Sequence, residues 1–174
     1  MKATLEVINK MQADGVIGKY AIGGAVGATF YLEPAATVDV DIFAILPVAA
    51  SAILVSLAPI YEYLRARGCA EKEEHIVIGG WPVQFLPPSN DLERDAVENA
   101  VRTTIGDTPA WIMQPEYLVA IALRTGRIKD YTRIVQFLER GSVDRSRLLA
   151  LLEKHDLLLK WGLFEQRYLE GHHG

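Results

Sequence analysis

Residues 20–46, YAIGGAVGATFYLEPAATVDVDIFAIL, constrain this chain more than any other stretch, because a glycine turn, a run of small residues and two carboxylates lie inside an apolar segment. Tyr20, Ala21 and Ile22 read as a short buried strand and Gly23 and Gly24 as its tight exit. Ala25 to Tyr31 then read as a helix able to pack closely. Glycines at such an exit leave backbone N–H groups bare, and at a helix start those groups suit a phosphate. From Val38 to Leu46 the alternation places Val38, Val40, Ile42 and Ala44 on one strand face and Asp39, Asp41 and Phe43 on the other. The residues after Asp41 are apolar on both faces, which predicts an internal strand with its acids near one buried end. Like charges so placed repel. Oxygen ligands holding a divalent cation relieve that repulsion, and Mg²⁺ is commonly held by one or two carboxylates together with substrate phosphates.

A D-x-D pair alone is more simply a polar strand face that meets water, and the glycine pair ahead of it is what favours a phosphate and metal site. A dinucleotide-binding turn competes, since Gly24-Ala25-Val26-Gly27 follows a strand, but Ile22 stands at the first glycine position of G-x-G-x-x-G. Composition sets outer bounds. At 174 residues and 50% hydrophobic content the chain can bury one sizeable core, while a formal charge of −4 gives no global basic field for nucleic acid. Cys69 is the only cysteine, which excludes an intramolecular disulfide and a zinc–cysteine cluster. The N-terminal MKATLEVINKMQADG carries Leu5, Ile8 and Met11 at helical spacing instead of a signal-peptide core, and no apolar run reaches membrane-spanning length. A cytoplasmic protein with no membrane partner is expected.

Further along, Pro59 to Gly68 reads as a helix, and Glu74–Ile78 with Pro82–Leu86 as a hairpin around Gly79-Gly80-Trp81. Asp91 to Ala100 reads as a short helix on which Glu93 and Asp95 are solvated, and Val101–Ile105 with Ala110–Met113 as a last strand pair. Helices follow over 115–125, 128–138, 143–152 and 157–169, with Gly126 and Gly141 as punctuation. Trp111, Trp161 and Phe164 read as core, His75 and His155 as surface.

The glycine pair, Tyr31, Thr37 and the D-x-D at Asp39 and Asp41 resemble the signature of the nucleotidyltransferase superfamily, the DNA polymerase beta-like fold. The nearest branch is the bacterial one of minimal and abortive-infection toxin nucleotidyltransferases. Gly126-Arg127-Ile128-Lys129-Asp130, with Arg133, resembles the family's G-R-x-K-D motif. The resemblance implies an α/β fold: a small mixed β-sheet packed with helices over 1–113, then a C-terminal helical part over 114–174 that packs on it as one unit. It implies Mg²⁺ (or Mn²⁺) on Asp39 and Asp41, an NTP held at Gly23, Gly24, Thr37 and Lys129, and catalytic roles for Asp39, Asp41, Lys129 and Asp130. The lysine would meet the triphosphate as a compact point charge, and Asp130 would orient it or cap the helix; a solvated basic face is the plain alternative. The implied reaction moves an NMP from the NTP onto a hydroxyl of a protein, an RNA or a small molecule. The implied setting is toxin–antitoxin or phage defence, with a cognate toxin or antitoxin as partner.

Two positions depart from the pattern. Ala35 stands where many relatives carry an arginine, and Gln84 stands where the family has a third carboxylate. An amide accepts a hydrogen bond but takes no proton at neutral pH. This leaves a slow or substrate-assisted enzyme, recruitment of Asp91 or Glu93 as the missing acid, or a catalytically silent nucleotide-binding or toxin–antitoxin interaction protein.

Overall fold

The computed structural model describes residues 1–33, 39–47 and 55–170. Strands β1 (Tyr20–Ile22), β2 (Val40–Ala44), β3 (Ala70–Lys72), β4 (His75–Ile78), β5 (Trp81–Leu86), β6 (Val101–Ile105) and β7 (Thr108–Ile112) form one mixed sheet in the order β3-β4-β5-β2-β1-β7-β6. Strand β2 lies at its centre, antiparallel to β1 and parallel to β5. That position accounts for its apolar composition on both faces, since side chains above and below it are both covered.

The helices are α1 (Lys2–Ala13), α2 (Gly24–Ala28), α3 (Ala58–Arg65), α4 (Asp91–Glu98), α5 (Pro115–Thr125), α6 (Ile128–Glu139), α7 (Arg145–Lys154) and α8 (Leu158–Tyr168). On one sheet face Leu5, Ile8 and Met11 of α1 and Ile60 and Leu64 of α3 pack with Val40, Ile42, Ile76 and Val83. Burial of each such aliphatic side chain contributes roughly 1.5–3 kcal/mol. On the other face Ala21, Phe43 and Met113 meet Leu92 and Val97 of α4, Leu118 and Leu123 of α5, and Phe137, Leu152 and Trp161 of the following helices. Asp41 of β2 shares this second face with Phe43 and lines a cavity with residues of α5 and α6. No helix among the described residues is long and apolar enough to cross a membrane.

Several elements differ from the sequence expectation. The helix after the glycine pair ends at Ala28 instead of Tyr31. Strand β3, Ala-Glu-Lys and wholly exposed, was not expected, because it forms by pairing its backbone to β4 at the sheet edge and buries no side chain. Charged residues suit such an edge. His155 is a buried side chain, 6% exposed, with Nε2 3.0 Å from Asp95 Oδ2. Asp95 also accepts from Lys154, so it joins α4 to α7 and is not simply solvated. The Lys154 hydrogen bond, followed by that of His155, holds the Asp95 carboxyl below its usual range.

Candidate nucleotide and metal site

Parallel pairing of β2 with β5 sets Asp41 opposite Gln84, so the amide lies immediately beside the acid. Both line a cavity with Gly24, Glu93, Arg127, Asp130 and Arg133, and its apolar wall comes from Phe43, Leu86, Met113 and α5. Gly24 has φ +57°, and a Cβ there would lie 1.9 Å from Asp41 Oδ2. Only glycine lets the chain turn left-handed and bring its backbone against that carboxylate. Gly23 donates its N–H to the Asp41 carbonyl at 3.0 Å, which fixes the turn to β2.

Burial is the main influence pushing the Asp41 carboxyl up, and the charge of Asp39 adds to it. His75, Arg133 and Arg127 oppose this by favouring the ionised form. Asp39 is half-exposed, with Oδ2 3.4 Å from His75 Nε2. His75 therefore stands next to the acids and not on open surface, a placement the sequence could not show because it depends on β4 lying next to β5.

The helical side of the cavity is set by the turn between α5 and α6. Gly126, at φ 72°, ends α5, and Arg127 then precedes α6. Asp130 is 2% exposed; its Oδ2 accepts from Arg127 N at 3.2 Å and Nε at 2.7 Å, and its Oδ1 from Arg127 Nη2 at 3.2 Å. Arg133 Nη1 lies 3.8 Å from the same carboxylate. Asp130 thus caps α6 and holds both arginines in place. Lys129 is exposed and is not among the cavity-lining residues. The buried Asp130, Ile134 and Phe137 define the inward face of α6, which leaves Lys129 outside it and Arg127 and Arg133 at its edges.

Of the sequence-derived site residues, Gly24, Asp41, Asp130 and Gln84 line the cavity, Gly23 and Asp39 adjoin it, and Thr37 and Ala35 lie outside the described residues. Arg133 lines it without having been assigned there, and so does Glu93, which the sequence offered beside Asp91 as a recruit for the missing acid. For Arg133 the i,i+3 spacing from Asp130 was the available signal. The carboxylates of Asp39 and Asp41 and the amide oxygen of Gln84 are hard oxygen donors of the kind Mg²⁺ or Mn²⁺ takes. Among the described residues no set of three or more His, Cys, Asp and Glu is grouped for a metal. The donor set fits a cation shared with a ligand's phosphates, and not one enclosed by protein alone.

The structure of an antigenic nucleotidyltransferase-like protein from Paracoccidioides brasiliensis is similar over 87% of this chain and 84% of that one, at 16% identity and a TM-score of 0.52. The solution structure of the antibiotic-resistance factor ANT(2'')-Ia is 14% identical, with 99% of this chain and 98% of that one covered at a TM-score of 0.47. No family model and no curated protein matches the sequence. At such identity the first likeness establishes the fold.

Proposed function

We propose that this chain is a nucleotidyltransferase that moves an NMP from an NTP onto a hydroxyl. The observation that carries the reading is the convergence of Asp41, Gly24, Arg127 and Arg133 on one cavity, with Asp39 beside it. Anion-binding groups and cation-binding groups have opposite requirements, and a nucleotide triphosphate with its metal satisfies both. Mg²⁺ or Mn²⁺ held by Asp39 and Asp41 would supply neutralisation of the charge that builds on the phosphates. Gly23 and Gly24 offer backbone close to those phosphates, and Thr37 is assigned to the nucleotide by the sequence resemblance. Arg127 and Arg133, kept oriented by Asp130, bind phosphate oxygens with a planar fork. Lys129, on the exposed side, attracts the triphosphate at longer range.

The acceptor hydroxyl belongs to a protein, an RNA or a small molecule. A toxin–antitoxin or phage-defence setting with a cognate protein partner rests on the sequence resemblance to the abortive-infection branch. The second reading, a silent nucleotide binder, is favoured by Gln84 in the place of an acid.

Purified protein given ATP, GTP, CTP and UTP with Mg²⁺ is expected to release pyrophosphate from at least one of them. Arg133→Gln is expected to weaken binding of that nucleotide about tenfold or more, as loss of a charge-assisted hydrogen bond does. Lys129→Ala should change affinity much less, and its stability should be that of the wild type within about 0.5 kcal/mol. Binding without pyrophosphate release would shift the assignment to the silent binder. Undiminished affinity in Arg133→Gln would remove that arginine from the phosphate site.

A further inference from the structure

Transfer to a hydroxyl liberates a proton, and Gln84 cannot take it. On the nucleotidyltransferase reading, on which this inference depends, the acids of the cavity are the protein groups able to accept it. Three acids line it: Asp41, Asp130 and Glu93. Asp130 is buried and committed to Arg127 through both of its oxygens. Asp41 is pressed against Gly24 and assigned to the cation. Glu93 has neither commitment.

Its position is fixed from two sides. The chain turns through Pro87-Pro88-Ser89-Asn90 into α4, where the Asn90 side chain caps the helix by accepting from Glu93 N at 3.0 Å. Glu93 Oε2 in turn accepts from Ser89 N at 2.7 Å and from Ser89 Oγ at 2.8 Å. The side chain is thus folded back over the start of α4 and held by one oxygen, while Oε1 has no hydrogen-bond partner among the described residues. Asp91, the other acid of this turn, is exposed and absent from the cavity lining. A carboxylate anchored through one oxygen and open at the other, on a cavity wall shared with the missing-acid position, has the form of a general base.

We propose that Glu93 is a catalytic residue of the transfer, accepting the proton of the acceptor hydroxyl. The acceptor oxygen bonds to the α-phosphorus of the NTP as its proton passes to Glu93 Oε1. The bond from that phosphorus to the α–β bridging oxygen breaks, its electron pair leaves on pyrophosphate, and the proton on Glu93 is then lost to solvent. The base role expected of the β5 position has moved to the first turn of α4.

The test uses Glu93→Gln, which retains an amide oxygen able to accept from Ser89 and so keeps the turn. Pyrophosphate release from a mixture of ATP, GTP, CTP and UTP with Mg²⁺ is followed with water as acceptor, and nucleotide affinity is measured by calorimetry. Glu93→Gln is expected to slow release about 10²- to 10⁴-fold at unchanged affinity. Adding Gln84→Glu to Glu93→Gln returns a carboxylate to the cavity and is expected to recover part of the rate. A Glu93→Gln rate equal to that of the wild type would overturn the proposal alone. So would a slowed rate with equally weakened affinity and no recovery in the double variant. Wild-type protein that binds nucleotide but releases no pyrophosphate would overturn the nucleotidyltransferase reading and the role of Glu93 together.

Discussion

Replacing Asp39 and Asp41 together with alanine is expected to lower Mg²⁺-dependent NTP consumption by about 10²- to 10³-fold or more, the scale seen when groups that stabilise transition-state charge are removed. The loss should not come from unfolding. Asp41 is an acid whose carboxyl is pushed up in the folded protein, chiefly by burial and then by Asp39. A group of that kind favours folding below its unfolded pKa, about 4, and this contribution is lost as pH rises through the higher folded value. Metal-free Asp41→Asn should therefore be more stable than the wild type at neutral pH, and the gain should shrink as pH falls through the raised folded value and be gone below about 4. Thermal unfolding in chelator at several pH values checks the sign. Full retention of NTP consumption by the double alanine variant would remove the two acids from the chemistry.

Gln84→Glu is expected to act in the opposite direction. The Asp41–Gln84 register puts the new carboxylate next to Asp41 on the adjacent parallel strand. It should tighten Mg²⁺ binding and raise pyrophosphate release, by up to the roughly 10²- to 10⁴-fold that a positioned acid–base group supplies. Without metal it should cost about 1–3 kcal/mol of stability, because three neighbouring carboxylates repel. That cost should grow as pH rises above the ordinary carboxyl range and shrink when Mg²⁺ is added. Mg²⁺ titration by calorimetry and melting curves with and without the metal read both effects. No change in either would mean that position 84 does not face the acids.

Much of the fold was legible in the sequence wherever a side chain's neighbours are set locally. Alternation in β2 identified a central strand with its acids at one end, and helical spacing identified Leu5, Ile8 and Met11 as a buried face. The place of Gln84 beside Asp41 followed from resemblance and appears as strand register. What depended on the orientation of distant elements was not legible. The G-R-x-K-D resemblance drew attention to Lys129, but Asp130, Ile134 and Phe137 turn inward and leave the arginines at the cavity. Glu93 read as solvated on a short polar helix, with recruitment as the missing acid left open between it and Asp91, and its placement comes from the Ser89 contacts and the approach of α4 to the sheet. His75 and His155 gave no sign of their partners, Asp39 and Asp95, which come from other parts of the chain. Strand β3 has no apolar alternation to detect, since its only structural role is backbone pairing at an edge.

The proposed chemistry stands on Asp39 and Asp41 sharing a divalent cation with nucleotide phosphates in the cavity between β2 and the start of α6. A crystal structure with Mg²⁺ and a non-hydrolysable NTP would show that sharing by itself, without reference to turnover. The expected result is a metal about 2.0–2.1 Å from oxygens of both aspartates, with the triphosphate lying against Gly24 and within reach of Arg127 and Arg133. A nucleotide bound elsewhere, or bound here with no metal on either aspartate, would contradict it.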